Sequence, residues 1–215
     1  MPRRPKPPPA TTVLFVRHGQ TPTTGSVLPG RARGLHLADG GREQAEAVAE
    51  RLGALETIDA IYASPLERTR ETAAPIGRRR GLKVAPEKGL LECDFGQWTG
   101  RPLKELMKLP EWVTVQRYPS GFRFPGGESF AEMQTRVTTT VAALVQRHPG
   151  GTIVAVSHAD PIKAAVAAAV GTHLDLFQRI VISPCSVTTI AYGAGGPMVL
   201  NVNSTGGALG EVKPS

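Results

Sequence analysis

The stretch Val13-Leu14-Phe15-Val16-Arg17-His18-Gly19-Gln20-Thr21 decides how this chain reads, because a run of apolar residues stops abruptly at a charged, reactive pair. Four consecutive apolar side chains, two of them valine, predict a short strand buried on both faces, as in a parallel sheet covered by helices. Arg17 and His18 then fall at the carboxyl end of that strand, the edge where open α/β sheets bind their ligands. A histidine held there offers one ring nitrogen as a nucleophile. Arg17 offers a fork of donors to a phosphate, and Gly19 lets the backbone turn tightly.

A second stretch has the same design. Thr152-Ile153-Val154-Ala155-Val156-Ser157 runs into His158, and Asp160-Pro161 supplies an N-cap and a first helical residue for a helix over 162–170. Two histidines, each at the end of a strand, point to one shared sheet edge. His36, His148 and His173 have no such setting and read as surface residues.

Between these stretches the apolar spacing predicts alternating helices and strands. Ala45, Val48, Ala49 and Leu52 recur at helical spacing within 41–55, and 58–63 reads as a second strand. Ser64-Pro65-Leu66-Glu67 has the form of a capping box, with proline at the first helical position, so a helix is expected to start there. That helix places Arg68 in its first turn, where a cation gains nothing from the macrodipole and suits an anion, although taken alone it reads first as a surface arginine. Pro75 is expected to end or kink it. A weak strand follows at 82–85, and then Leu90-Leu91-Glu92-Cys93-Asp94 sets acids directly after an apolar pair.

Ser129-Phe130-Ala131-Glu132 is a second capping box, opening a helix through Arg147 whose Phe130, Met133, Val137, Val141 and Leu144 share one face. The segments 187–192 and 198–202, around Gly193-Ala194-Gly195-Gly196, read as a hairpin or a pair of edge strands. Residues 22–40 form a surface loop that starts beside His18. Residues 100–127, with a helix at 103–108, read as an insertion covering a site rather than as core. The basic, proline-rich residues 1–10 read as a disordered arm and 206–215 as a flexible tail. The domain itself spans 11–205.

The fold class is therefore α/β, a single domain with a mostly parallel sheet flanked by helices on both faces. A chain of 215 residues suits this and can bury a sizeable core. Lys and Arg number 25 against 18 Asp and Glu, a net +7; without Arg3, Arg4 and Lys6 of the arm, 22 against 18 leaves +4. That excess favours anionic ligands. Aromatic residues make up only 5% and are not interleaved with basic ones, which argues against nucleic acid as a partner. No apolar run is long enough to cross a membrane, and the N-terminus lacks the apolar core of a signal peptide, so a cytoplasmic protein is expected. Cys93 and Cys185 are too few for a disulfide framework or metal cluster and read as structural thiols.

Arg17-His18-Gly19 with Gln20-Thr21, Ser64-Pro65-Leu66-Glu67-Arg68-Thr69, Leu91-Glu92 with Phe95-Gly96, Gly126-Gly127-Glu128-Ser129, and Ser157-His158 occur in the order of the histidine phosphatase, or phosphoglycerate mutase-like, superfamily. The chain resembles that family from about Thr12 to Thr189. The resemblance implies that His18 becomes phosphohistidine, that Arg17, Arg68 and His158 form the phosphate pocket, and that Glu92 donates the proton. Gly19, Gln20, Thr21, Thr24 and Ala159 are further candidates for phosphate or substrate contact. Two positions depart from the family pattern: Thr24 stands where an Asn is frequent, and Ala159-Asp160 where Gly-Gly is frequent.

The expected activity is hydrolysis of a small phosphorylated metabolite through phosphohistidine, with no cofactor and no metal. Arg17, Arg68 and a protonated His158 would stabilise the dianion, while the same cations keep His18 neutral for attack. Glu92 needs a raised pKa to hold its proton. Two alternatives share the fold: a phosphoglycerate mutase-type phosphotransferase, and a non-catalytic phosphate-binding module. Glu92 and His158 lie only 66 positions apart, where the resemblance implies a longer insertion for mutases. The module would be expected to lack the nucleophile or the acid, and both are present. A homodimer is allowed by the sequence.

Overall fold

The computed structural model describes residues 9–207 and 209, and the arm read over 1–10 lies outside them except for Pro9 and Ala10. Six strands form one sheet: β1 (Thr11–Arg17), β2 (Ala60–Ala63), β3 (Val84–Pro86), β4 (Thr152–Ser157), β5 (Val187–Gly193) and β6 (Gly196–Ser204). Their order is β3-β2-β4-β1-β5-β6. The pairs among β3, β2, β4 and β1 are parallel, whereas β1–β5 and β5–β6 are antiparallel.

Side chains alternate across the two central strands, so each strand feeds two cores. Val13 and Phe15 of β1, with Ile153 and Ala155 of β4, pack on α5 (Phe130–Arg147) and α6 (Ala159–Ala169). Leu14, Val16, Val154 and Val156 pack on α1 (Asp39–Gly53) and α2 (Glu67–Arg80). Both faces are dry, which is why the sequence of β1 shows no polar alternation. Burying a side chain such as Phe15 stabilises the fold by about 2–3 kcal/mol.

The α5 capping box forms as read: Ser129 Oγ accepts from the Glu132 N–H at 3.1 Å, and the Glu132 carboxylate accepts from the Ser129 N–H at 2.9 Å. All five residues of its predicted face are buried. The cap expected at Ser64 does not form. Leu66 is the N-cap of α2, no side chain caps it, and the Ser64 hydroxyl is engaged elsewhere. Pro75 neither ends nor breaks α2, which runs on to Arg80 with Ala73, Pro75 and Ile76 buried. Packing against α1 outweighs the lost backbone bond, a cost of about 3 kcal/mol. Gly81, at φ 66°, then closes the helix in the left-handed conformation.

The helix after His158 also starts earlier than expected. His158 is its N-cap, and Asp160 sits in the first turn rather than capping it. Residues 100–127 hold α3 (Leu103–Leu106), α4 (Trp112–Arg117) and a turn of 3-10 helix, and their Leu106, Val115, Phe122 and Phe124 enter the core under α5 and α6. The sequence reading of this segment as a covering insertion rather than core missed those contacts because its apolar residues follow no single period. Phe124 makes edge-on contacts with Phe95, Trp98, Phe122 and Phe130.

His148, read as a surface residue, is half-buried; its Nε2 lies 2.8 Å from the Tyr62 hydroxyl. Beyond β6, in the stretch read as tail, Arg51 donates to the carbonyls of Gly206 at 3.2 Å and Gly207 at 3.0 Å, and Leu209 is buried beside α1. The remainder of 206–215 lies outside the described residues. Among the described residues no helix is long and apolar enough to cross a membrane.

Candidate active site

The register of the two central strands builds the site. Arg17 stands opposite Ser157, and the His18 N–H donates to the Ser157 carbonyl at 3.0 Å. His18 and His158 therefore leave their strands at the same height, and their rings meet edge-on with centroids 5.2 Å apart. Both are buried. Arg68 reaches the same point from the first turn of α2 and is fully buried, which is rare for a guanidinium unless it is paired.

Hydrogen bonds fix what each group presents. His18 Nδ1 lies 2.8 Å from the Gly19 carbonyl. A carbonyl only accepts, so Nδ1 carries the proton and Nε2 of the neutral ring keeps its lone pair. Arg68 Nε faces that lone pair at 3.3 Å, while its Nη2 donates to the Gly30 carbonyl at 2.7 Å. Arg17 Nη1 donates to the Ile182 carbonyl at 2.6 Å. Three buried nitrogens of these side chains, Arg17 Nε, Arg68 Nη1 and His158 Nδ1, have no partner among the described residues. Two guanidiniums and an imidazole with spare nitrogens form a cradle for a compact oxyanion.

Charge and burial act on the three titrating groups in different directions. Burial, then Arg68 and Arg17, hold His18 well below the ordinary imidazole pKa. His158 is pushed down in the same way, first by burial and then by Arg68, His18 and Arg17. Burial beside two cations thus works against the protonated His158 that the sequence reading expects, since a third positive charge there is costly. Glu92 is buried, and burial followed by the charge of Asp160 pushes its carboxyl up to about 7.

Glu92 lies on a stretch outside the sheet, and its backbone is held by two arginines. Arg31 Nε donates to the Glu92 carbonyl at 2.9 Å. Arg136 Nη1 donates to the carbonyls of Gly89 at 2.8 Å and Leu91 at 2.9 Å. Glu128 joins the two, taking Arg31 at 3.0 Å and both sides of the Arg136 fork at 2.8 Å. Asp94 accepts from the Gly96 N–H at 3.0 Å and faces Arg31 at 3.5 Å.

The structure thus brings together Arg17, His18, Arg68, Glu92 and His158. The other candidates have local tasks. The Gly19 N–H donates to Thr72 Oγ1 at 3.0 Å, and a Cβ at Gly19 would lie 2.5 Å from the Gly41 carbonyl oxygen. Thr24 Oγ1 accepts from the Thr21 N–H at 2.9 Å and lies 3.0 Å from the Thr21 hydroxyl, closing the turn after His18. Gln20 is exposed, its N–H bonded to the Gln44 side chain at 3.0 Å. Ala159 opens α6. Sequence reasoning missed Ser64, whose Oγ lies 2.8 Å from His158 Nε2, because its spacing to Glu67 matched a helix cap.

Comparison with known proteins identifies the family and the fold. A family model described as the histidine phosphatase superfamily (branch 1) matches residues 13–205. Phosphoserine phosphatase 1 of Hydrogenobacter thermophilus is 33% identical over 201 residues, covering 90% of this chain and 92% of that protein. A mycobacterial glucosyl-3-phosphoglycerate phosphatase superposes with a TM-score of 0.82 at 28% identity, over 91% of this chain and 99% of the other. A phosphoserine phosphatase from Entamoeba histolytica, solved with phosphoserine bound, gives a TM-score of 0.82 at 26% identity, over 91% and 98%. The chain belongs to the histidine phosphatase superfamily, branch 1.

Proposed function

We propose that this phosphomonoesterase works through His18, with Arg17, Arg68 and His158 holding the phosphoryl group and Glu92 moving the proton. The observation that carries the reading is the state of His18: Nδ1–H is tied to the Gly19 carbonyl, which leaves the Nε2 lone pair for attack. As Nε2 bonds to phosphorus, the ester P–O bond breaks and Glu92 protonates the departing oxygen. A water then attacks the phosphohistidine, giving its proton to Glu92 as the P–N bond breaks and inorganic phosphate leaves.

The two guanidiniums spread the charge of the transferring group over fixed donors that need no reorganisation. Glu92 supports its role by remaining protonated up to about pH 7, where an ordinary carboxyl would be ionised. Relatives named for phosphoserine and glucosyl-3-phosphoglycerate make phosphoserine and phosphoglycerate-type esters the first substrates to try. Two unpaired, buried thiols are consistent with a cytoplasmic setting. The deciding experiment is to quench the enzyme during turnover of labelled substrate and map the label. Acid-labile phosphate on His18 supports the mechanism, and acid-stable label on another residue excludes it.

A further inference from the structure

Ser64 has the sequence environment of a helix cap but performs a different task. It lies immediately after β2, fully buried, with its N–H donating to the Val156 carbonyl at 3.0 Å. That bond ties it to the strand that ends at His158. Its hydroxyl has one partner among the described hydrogen bonds, His158 Nε2 at 2.8 Å. The other ring nitrogen, Nδ1, is buried and has none.

Two proton arrangements satisfy that distance, and they differ in what they leave unpaired. If Nε2–H donates to the serine oxygen, the hydroxyl proton and the Nδ1 lone pair are both left without partners in a buried place. A lone pair at Nδ1 would also repel a phosphoryl oxygen. If the hydroxyl donates to Nε2, a single donor remains, Nδ1–H, and an oxyanion satisfies it. Leaving a buried polar atom unpaired costs about 1–3 kcal/mol, so the second arrangement is favoured even before phosphate binds.

We infer that Ser64 is a positioning residue that fixes His158 as the Nδ1–H tautomer, so that a neutral imidazole donates to the bound phosphoryl group. The inference rests on the phosphomonoesterase reading above only for the identity of the ligand. It also explains how His158 serves an anion where burial and two arginines disfavour its charged form.

The test is long-range proton–nitrogen NMR of protein labelled at histidine nitrogens, at pH 7.5, with the His158 signals assigned from His158→Gln. The wild-type protein is expected to show a protonated Nδ1 and an unprotonated Nε2. Ser64→Ala, checked for folding by circular dichroism, is expected to show a mixture of tautomers. Its affinity for inorganic phosphate, read as a competitive inhibition or by titration, should weaken about tenfold. A wild-type spectrum with Nε2 protonated overturns the inference without any variant, and so remains decisive if Ser64→Ala does not fold. A folded Ser64→Ala that keeps the single Nδ1–H tautomer, or whose phosphate affinity stays within about twofold, overturns it as well. Failure of the enzymatic reading is a separate result, namely no phosphate release by the wild-type protein from any ester, with the spectra still read in the same way.

Discussion

Arg68 Nε lies 3.3 Å from Nε2 of His18, so the nucleophilic lone pair is already faced by a donor before any substrate arrives. The contact lowers the basicity of the ring and aligns it, since Nδ1 is anchored at the opposite side by Gly19. In the proposed mechanism an entering phosphoryl group takes Arg68 as its own ligand and so frees that lone pair for attack.

His18→Ala is therefore expected to abolish turnover, with a loss on the order of 10⁴-fold or more in kcat. Far-UV circular dichroism should be unchanged, because the β1–β4 ladder and not the imidazole holds the local backbone. Turnover within tenfold of wild type would exclude His18 as the nucleophile.

Glu92→Gln separates proton donation from structural support. On an alkyl ester such as a sugar phosphate the rate should fall by about 10² to 10⁴, and on an aryl phosphate, whose phenolate leaves unaided, by much less. The corresponding Asp94→Asn should show no such dependence, since Asp94 caps a turn and faces Arg31. Equal losses on both esters for Glu92→Gln would assign it to the pocket rather than to the leaving group.

The same carboxyl makes a thermodynamic claim. Its folded pKa, about 7, lies above the ordinary 4.5, so the folded state keeps a proton that the unfolded chain gives up. That contribution is complete below about 4.5 and is lost as pH rises through 7. Glu92→Gln should accordingly raise Tm at pH 8.5, by the equivalent of about 1–3 kcal/mol, and leave it nearly unchanged at pH 4.5. Calorimetry of the two proteins across that range decides the point; a variant less stable at pH 8.5 contradicts it.

The pH profile of kcat/KM follows from the two groups together. His18 must be neutral and its pKa is depressed, so the acid limb should fall well below the usual imidazole range. Glu92 must be protonated, so activity on an alkyl ester should decline above about pH 7. On an aryl ester the alkaline decline should flatten, and if it does not, the limb belongs to another group.

Glu128 is expected to matter without touching substrate. It pairs in bidentate fashion with Arg136 and also holds Arg31, and both arginines grip the Glu92 segment. Glu128→Ala leaves Arg136 without its carboxylate partner and Arg31 with Asp94 alone, which should cost about 2–4 kcal/mol in urea unfolding. Its kcat should fall more on alkyl than on aryl esters, because the acid is displaced while the phosphate cradle is kept.

The residues that were legible in advance are those whose place depends on a strand end. Apolar runs into Arg17-His18 and into His158 gave both the sheet and the shared edge, since buried parallel strands have one reading. Arg68 followed from the family resemblance, because its position in a first helical turn suits a surface arginine as well. What escaped depended on which of two partners a side chain chooses. Ser64 and Asp160 both fit a cap by spacing, yet one hydroxyl turns to His158 and α6 begins two residues earlier. The charge of His158 escaped for a related reason, since nothing in the chain announces that it is fully buried beside two cations. The aromatic packing of 100–127 was equally silent, being made by residues far apart in sequence.

The unequal mounting of the site has a consequence for how such an enzyme changes over time. His18 and His158 are carried by adjacent strands in the middle of the sheet, so their spacing cannot drift unless the sheet slips or melts. Glu92 hangs on an unpaired stretch tied down from outside by Arg31, Arg136 and Glu128. Exchanges in that outer strapping, or in the loops beside it, can alter which leaving groups are served while the phosphorus-handling half is inherited intact. A lineage can thus diversify its diet of esters by editing side chains around Glu92 while the spacing of the two strand-end histidines stays as the sheet sets it.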